Sequence, residues 1–359
     1  DMVALLSLVD FAEDEEIRRR ATMVLDLLLL DLAQHLFKGV FGSTHGRAYE
    51  ISKKWARNEN TADVAKLHFG VGCFGSPECM SAPGFALSKR YRPPAVLYAI
   101  ACDLAERDTR IRQRMGIRIE EAKRWGLGFR DLEDGMVWLS LEAYTHPAVL
   151  MFTMRMFDAF DWWENAFFAP FRARKRLIGL LRRTRTLRLF ARPFEWDMTR
   201  NLRSEANCVS YRTPDYMLSS ALDWRPGFGG DQQHLWQATL GPDAVCFTTH
   251  PGPRTVRSPG YWTGNACLPR VGQIDNVVIA LYRIHRRPAL YMANRARFTH
   301  AWLPRDRFDE VVERDGWVFA RKGEGYLALR SSNPAHWQDE PGEDRGRELI
   351  AAGTEQVWI

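Results

Sequence analysis

The apolar positions near the start of the chain recur in steps of three and four. Ile17, Ala21, Val24, Leu25, Leu28, Leu32 and Leu36 trace one stripe, which predicts a single helix over residues 14 to 38. Asp14, Glu15 and Glu16 stand at its start, where acids complement the helix dipole, and Gly39 and Gly42 close it. Similar spacing predicts short helices over 47 to 57, 60 to 68, 94 to 107 and 119 to 125, with a glycine-rich loop from Gly70 to Gly84. From Asp131 to Phe168 the pattern stays helical and heavily apolar, punctuated by Pro147, and a basic helix follows over 172 to 190. No strand is expected in the first 200 residues. Helices joined in pairs by loops predict an (α/α) toroid-like array, although a plain bundle satisfies the same pattern.

The texture changes at residues 196 to 201. Short alternating runs between turn residues predict strands at 207 to 211, 216 to 222, 234 to 240, 244 to 248, 277 to 282, 289 to 293, 298 to 302, 317 to 322 and 325 to 330. A turn or short helix is expected at 308 to 312, and a final strand at 355 to 359. Regularly spaced strands separated by Gly and Pro imply an antiparallel β-sandwich. The reading is therefore an α+β multidomain chain, with a helical toroid-like domain over 1–200 and an antiparallel β-sandwich over 201–359. The first reads as incomplete at its N-terminus and the second as cut short at its C-terminus, since the chain opens on Asp1 and ends within a strand pattern.

Composition sharpens this only in places. With 359 residues, 46% hydrophobic and 26% charged, the chain is long enough for two cores and too apolar for disorder. Thirteen tryptophans suit flat sugar faces, although core filling is the commoner use of the ring. The formal charge of +6 is concentrated in Arg172, Arg174, Lys175, Arg176, Arg182, Arg183, Arg185, Arg188 and Arg192. Leucines interleave with that run, which reads as a packed amphipathic helix rather than a nucleic-acid arm, so no nucleic-acid partner is expected. No apolar run reaches membrane-spanning length, and membrane insertion is not expected. Six cysteines without a CxxC pair exclude a zinc ribbon and lean towards a reducing compartment, although Cys73 and Cys79 are close enough in sequence to bridge. The Walker loop, GxGxxG, HExxH and GxSxG patterns are missing. No cofactor is called for, and a structural divalent metal is left open. The sequence gives no reading of oligomeric state.

Two polar loops are poorly explained by packing. Gly42-Ser43-Thr44-His45-Gly46-Arg47-Ala48-Tyr49 places an imidazole, a guanidinium and a phenol within five residues, and His45 and Tyr49 share a face if the next helix starts early. Asp231-Gln232-Gln233-His234-Leu235-Trp236 enters a strand, where His234 and Trp236 point one way and Gln233 and Leu235 the other. Tyr144 and His146 before Pro147, and Asn165 after Trp162-Trp163-Glu164, are further candidates in aromatic surroundings.

A helical toroid followed by an antiparallel sandwich, with a His/Arg/Tyr loop in the first and a His entering from the second, resembles the chondroitin AC lyase, heparinase II and related alginate lyase families. The resemblance implies β-elimination of an acidic, uronate-containing polysaccharide. It implies Tyr49 as base and acid, His45 as neutraliser or second base, Arg47 as the carboxylate clamp and His234 closing the site. Gln233, Trp236, Tyr144, His146 and Asn165 then contact substrate. A neutralising Asn has no single counterpart, with Asn58, Asn60 and Asn165 competing. A glycoside hydrolase using two of Asp131, Glu133, Glu142 and Glu164, or a non-catalytic glycan-binding scaffold, are the alternatives.

Overall fold

The computed structural model describes residues 2–75, 79–103, 108–230, 232–254, 260–263, 267–284 and 296–359. The chain opens with α1 (Met2–Phe11) and α2 (Glu15–Gln34). Asp14 caps α2, its carboxylate accepting from the backbone N–H groups of Glu16 and Ile17 at 2.7 and 3.2 Å. The buried stripe runs through Ala21, Leu25, Leu29, Leu32 and Ala33, so Ile17 and Val24 of the expected stripe lie exposed instead. The helix stops at Gln34 because the chain then turns back in a small hairpin, β1 (Leu36–Phe37) and β2 (Val40–Phe41). Lys38 and Gly39 form its two-residue turn, both at positive φ. Gly39 is required twice over: a Cβ there would meet the Gly72 backbone nitrogen at 2.5 Å.

Short helices follow: α3 (Glu50–Lys54), α4 (Ala62–Phe69), α5 (Ser81–Leu87) and α6 (Ala95–Ala101). Of these, α4, α5 and α6 join α1 and α2 to bury Leu6, Leu25, Leu29, Val64, Phe69, Phe85 and Leu97 together. The next element is β3 (Thr109–Met115), a strand within the half expected to be helical throughout. Its sequence, TRIRQRM, sets arginines on every second residue of a largely exposed edge, and this masks the apolar alternation that marks a strand. A second helical lobe then comprises α7 (Gly135–Ser140), α8 (Leu150–Ala159), α9 (Ala169–Arg172), α10 (Lys175–Arg183), α11 (Leu187–Ala191) and α12 (Glu195–Met198). The basic run forms α10 and α11, two helices instead of the one expected, with Arg185 at φ +60° between them.

The remainder is antiparallel sheet: β4 (Ala206–Arg212), β5 (Met217–Leu222), β6 (Trp236–Thr239), β7 (Val245–Thr249), β8 (Arg270–Ile274), β9 (Val277–Arg283), β10 (Phe298–Trp302), β11 (Glu310–Arg314), β12 (Trp317–Lys322), β13 (Gly325–Arg330), β14 (Ala335–Trp337), β15 (Glu348–Ala352) and β16 (Glu355–Trp358). The expected strand at 289 to 293 lies outside the described residues. Residues 308 to 312, expected as a turn or helix, instead enter a strand, with 310 to 312 already part of β11 and paired with β12. The largest sheet has the order β14-β15-β10-β7-β6-β5-β4-β3, and β8-β9-β16 and β11-β12-β13 form two three-stranded sheets. One face of the large sheet shares a core with these small sheets, through Leu218, Trp236, Ala238, Val271, Val278, Val318, Leu329 and Trp358. A separate core joins helical-half residues Val40 and Ala56 to sheet-half residues Val245, Phe247, Tyr261, Trp262 and Trp302. The architecture is thus mixed helix and antiparallel sheet, with the two halves packed on each other along a seam. Among the described residues no helix is long and apolar enough to cross a membrane, and the six cysteines are free thiols, two of them, Cys73 and Cys79, without the bridge considered from sequence.

Candidate functional site

The two polar loops meet at that seam. The backbone N–H of His45 donates to the His234 carbonyl at 3.1 Å, and the N–H of His234 donates back to the His45 carbonyl at 2.9 Å. The Ala48 N–H continues the zipper to the Gln232 carbonyl at 2.8 Å. Beneath it, buried Lys53 of α3 donates from Nζ to the carbonyls of Gln233 (2.9 Å) and Thr263 (2.7 Å). The Gln233 side chain is itself buried and donates to the Arg200 carbonyl at 3.0 Å.

The imidazoles take different roles. His45 lies edge-on to Phe41 and sets Nε2 at 2.9 Å from a Glu59 carboxylate oxygen. His234 is buried, its Nε2 at 2.8 Å from the Gln237 amide oxygen and its ring edge-on to Phe247. Burial, and then the charges of Lys53 and His45, hold His234 well below the usual imidazole range, so it is neutral. The expected alternation fails here: His234 shares a side with Gln237 because the chain bends to meet His45 before β6 begins at Trp236. Trp236 faces the opposite side, in the core between the sheets, where its indole N–H donates to Thr248 at 2.8 Å. It therefore packs and does not reach a ligand at the seam.

Helix α3 begins at Glu50, so Tyr49 is its N-terminal flanking residue and does not share a helical face with His45. Tyr49 instead pairs with exposed Arg47, whose guanidinium donates to the phenol oxygen at 3.2 Å and lies 5.9 Å from the ring centre. Neighbouring Gly46 packs on the Arg203 side chain, which donates to Glu142 at 3.1 Å. Tyr144 belongs to this neighbourhood. Burial and the Glu142 carboxylate raise its phenol, while Arg203 and Arg47 oppose that rise. His146 turns elsewhere, with Nε2 3.5 Å from Glu195 and Nδ1 accepting from the Ala148 N–H, and burial lowers its basicity against the pull of Glu195. Exposed Asn165 accepts from the Phe167 N–H at 2.8 Å and caps a short 3₁₀ turn.

A second polar network was not foreseen. On β10, His300 Nδ1 lies 2.6 Å from Glu348 on β15, and the Tyr261 hydroxyl donates to the same oxygen at 2.6 Å. Arg254 donates to the other oxygen at 3.0 Å. The Trp262 ring stacks on His300 at 3.9 Å, and its N–H donates to Asp344, which also pairs with buried Lys54 at 3.0 Å. Burial alone would raise the Glu348 carboxyl, but the hydrogen bonds from His300 and Tyr261 and the Arg254 charge outweigh it and hold it at about 2. These partners are scattered between residues 54 and 348 and carry no local motif. Glu59 and Lys53 were missed for the same reason.

A cavity of about 20 Å³ lies beside His234, between Lys53, Gln233, Thr248 and Thr263. Among the described residues no cluster of three or more His, Cys, Asp or Glu side chains is placed to hold a metal ion. Comparison with protein-family models, curated proteins and solved structures returns no match to the chain.

Proposed function

We propose that the chain cleaves an acidic, uronate-containing polysaccharide by β-elimination, on the outer rim of the seam where Arg47 and Tyr49 lie. In this reading the helical half is toroid-like and the sheets act as a sandwich, as in the lyase families the sequence resembles. The observation that carries it is the Arg47–Tyr49 hydrogen bond, at the exposed end of a loop held by the His45–His234 bridge. The exposed Arg47 guanidinium matches a uronate carboxylate as a planar bidentate donor. That offsets the charge which otherwise makes the α-proton inert. Tyr49, as phenolate, takes this proton from C5. The C4–C5 double bond forms as the C4–O bond breaks, and the phenol returns the proton to the leaving oxygen. His45, paired with Glu59, stands behind the loop as a second polar group. His234 positions the His45 backbone and, being buried and neutral, does not act as base. Gln233 and Tyr144 shape the rim.

A non-catalytic glycan-binding role is the second reading, favoured by the burial of His234, which keeps that imidazole away from any proton transfer. Ultraviolet absorbance of an unsaturated uronate during incubation with hyaluronan, heparin, alginate, pectin and ulvan decides between them. Growth of that absorbance, abolished by Tyr49→Phe, supports elimination. Binding without absorbance supports the second reading, and neither signal with any of the five polymers overturns both.

A further inference from the structure

The basic run borders an apolar groove. At 3.6 residues per turn, α10 sets Leu177, Ile178, Leu180 and Leu181 on one arc and Lys175, Arg176, Arg182 and Arg183 on the other. Of the apolar arc only Ile178 is fully buried, in the core it shares with Leu150, Met154 and Phe157 of α8. Leu177 faces a cavity of about 610 Å³ whose walls include Phe171, Phe190 and Phe194 and whose lining comes entirely from residues 145 to 198. Leu177, Phe190 and Phe194 are 43%, 48% and 39% exposed, so the mouth of the groove is apolar and faces water. Leu180 and Leu189 stand outside the lining and are more exposed still, at 59% and 62%.

The charge around this apolar surface has one sign. From Arg172 to Arg192 the chain holds nine cations and no acid. Among the described residues two of the nine have a carboxylate partner, Arg172 with Glu164 at 3.5 Å and Arg182 with Asp158 at 2.6 Å. The other seven are exposed. Arg174 joins the groove lining, where Asp197 is the one acid. Protruding leucines and uncompensated cations on the same two short helices call for an occupant that satisfies both. An acidic polysaccharide would meet the cations and leave the leucines in water. A peptide seated in the groove would cover Leu177 and Phe190 and leave Leu180 and Leu189 in water. A bilayer surface does both, since phosphates receive the arginines while the acyl boundary beneath takes protruding and recessed apolar groups together.

We propose that α10 and α11 dock flat on a membrane bearing acidic phospholipid, without crossing it, with Leu177, Leu180, Leu189 and Phe190 entering the acyl boundary and the exposed cations of the run held among the headgroups.

The test is co-sedimentation of the whole chain with vesicles, either of phosphatidylcholine alone or of phosphatidylcholine and phosphatidylglycerol in equal parts. Binding to the mixed vesicles, weak binding to the neutral ones, and loss towards about 1 M salt are expected. Arg183→Gln together with Arg188→Gln, both at exposed positions without a carboxylate partner, should weaken the partition about 25-fold, roughly fivefold for each charge. Leu180→Gln together with Leu189→Gln keeps the charge and lies outside the groove. It should keep the melting temperature and weaken the partition at least about tenfold. No binding to the mixed vesicles, or equal binding to both kinds, would overturn the proposal. Binding that heparin displaces and that the leucine pair leaves unchanged would overturn it too, and would assign the basic surface to an acidic polysaccharide.

Discussion

Replacing Glu348 with glutamine removes the charge at the centre of the His300–Tyr261–Arg254 network while keeping the shape of the side chain. The wild-type carboxyl is fully buried by accessible surface and is held at about 2 against an ordinary 4.5. At about 1.4 kcal/mol per pH unit, the native state gains ~3 kcal/mol from the charged form at neutral pH. Because the folded value is depressed, this stability is present above 4.5 and is lost as pH falls from 4.5 towards 2. Glu348→Gln should therefore unfold ~3 kcal/mol more easily than wild type at neutral pH, and the gap should close on acidification through that window. Urea midpoints for both proteins, taken from neutral pH down to about 2, measure it. The difference between them isolates Glu348 from the other carboxylates that titrate in the same range. A neutral-pH gap under ~1 kcal/mol, the size of a single neutral hydrogen bond, would refute the reasoning. A gap that stays constant with pH would refute it as well.

Tyr49→Phe should cut elimination by roughly 10²-fold or more, since the variant has no proton-transfer group; an unchanged rate of absorbance growth would remove Tyr49 from the chemistry. Lys53→Met leaves the Gln233 and Thr263 carbonyls without their buried donor, which should cost ~2–4 kcal/mol in denaturant unfolding. The same change removes a positive charge that depresses His234, so the His234 ring should titrate at higher pH by NMR. Gly260→Ala should destabilise by ~1–3 kcal/mol in the same assay. Gly260 sits at φ +104°, and a Cβ would meet a Glu50 carboxylate oxygen at 2.3 Å.

The strands 298 to 302, 317 to 322 and 325 to 330 were legible to the residue, because each alternates cleanly between turn residues. The start of α2 was legible because Asp14 and the acids after it are a local signal. Its end was not, because the Lys38–Gly39 turn competes with the helix through Gly72, a contact remote in sequence. The edge strand β3 was hidden by its arginines, which are held by Asp275, Glu121 and Glu205 rather than by a core. At the candidate site, residue types pointed to both loops, and the backbone bridge does join them. What the residues face was not legible. Trp236 and His234 look alike in sequence and end on opposite sides, since a bend ahead of β6 depends on a partner 189 positions away, at His45.

The pairing of β3 with β4 recasts the middle of the chain. Met115 lies opposite Ala206, and Thr109 opposite Arg212. Everything between those strands, α7 to α12 included, leaves the sheet and returns to it at one point, with its ends held about 5 Å apart. The second helical lobe is therefore an insertion in a hairpin rather than a step between two consecutive modules. The sheet edge can form only after this excursion has been synthesised, which makes it a late, high-contact-order event in folding. The same geometry lets the lobe vary in length or sequence without disturbing the register on either side of it, so the lobe is the part of the fold most open to exchange.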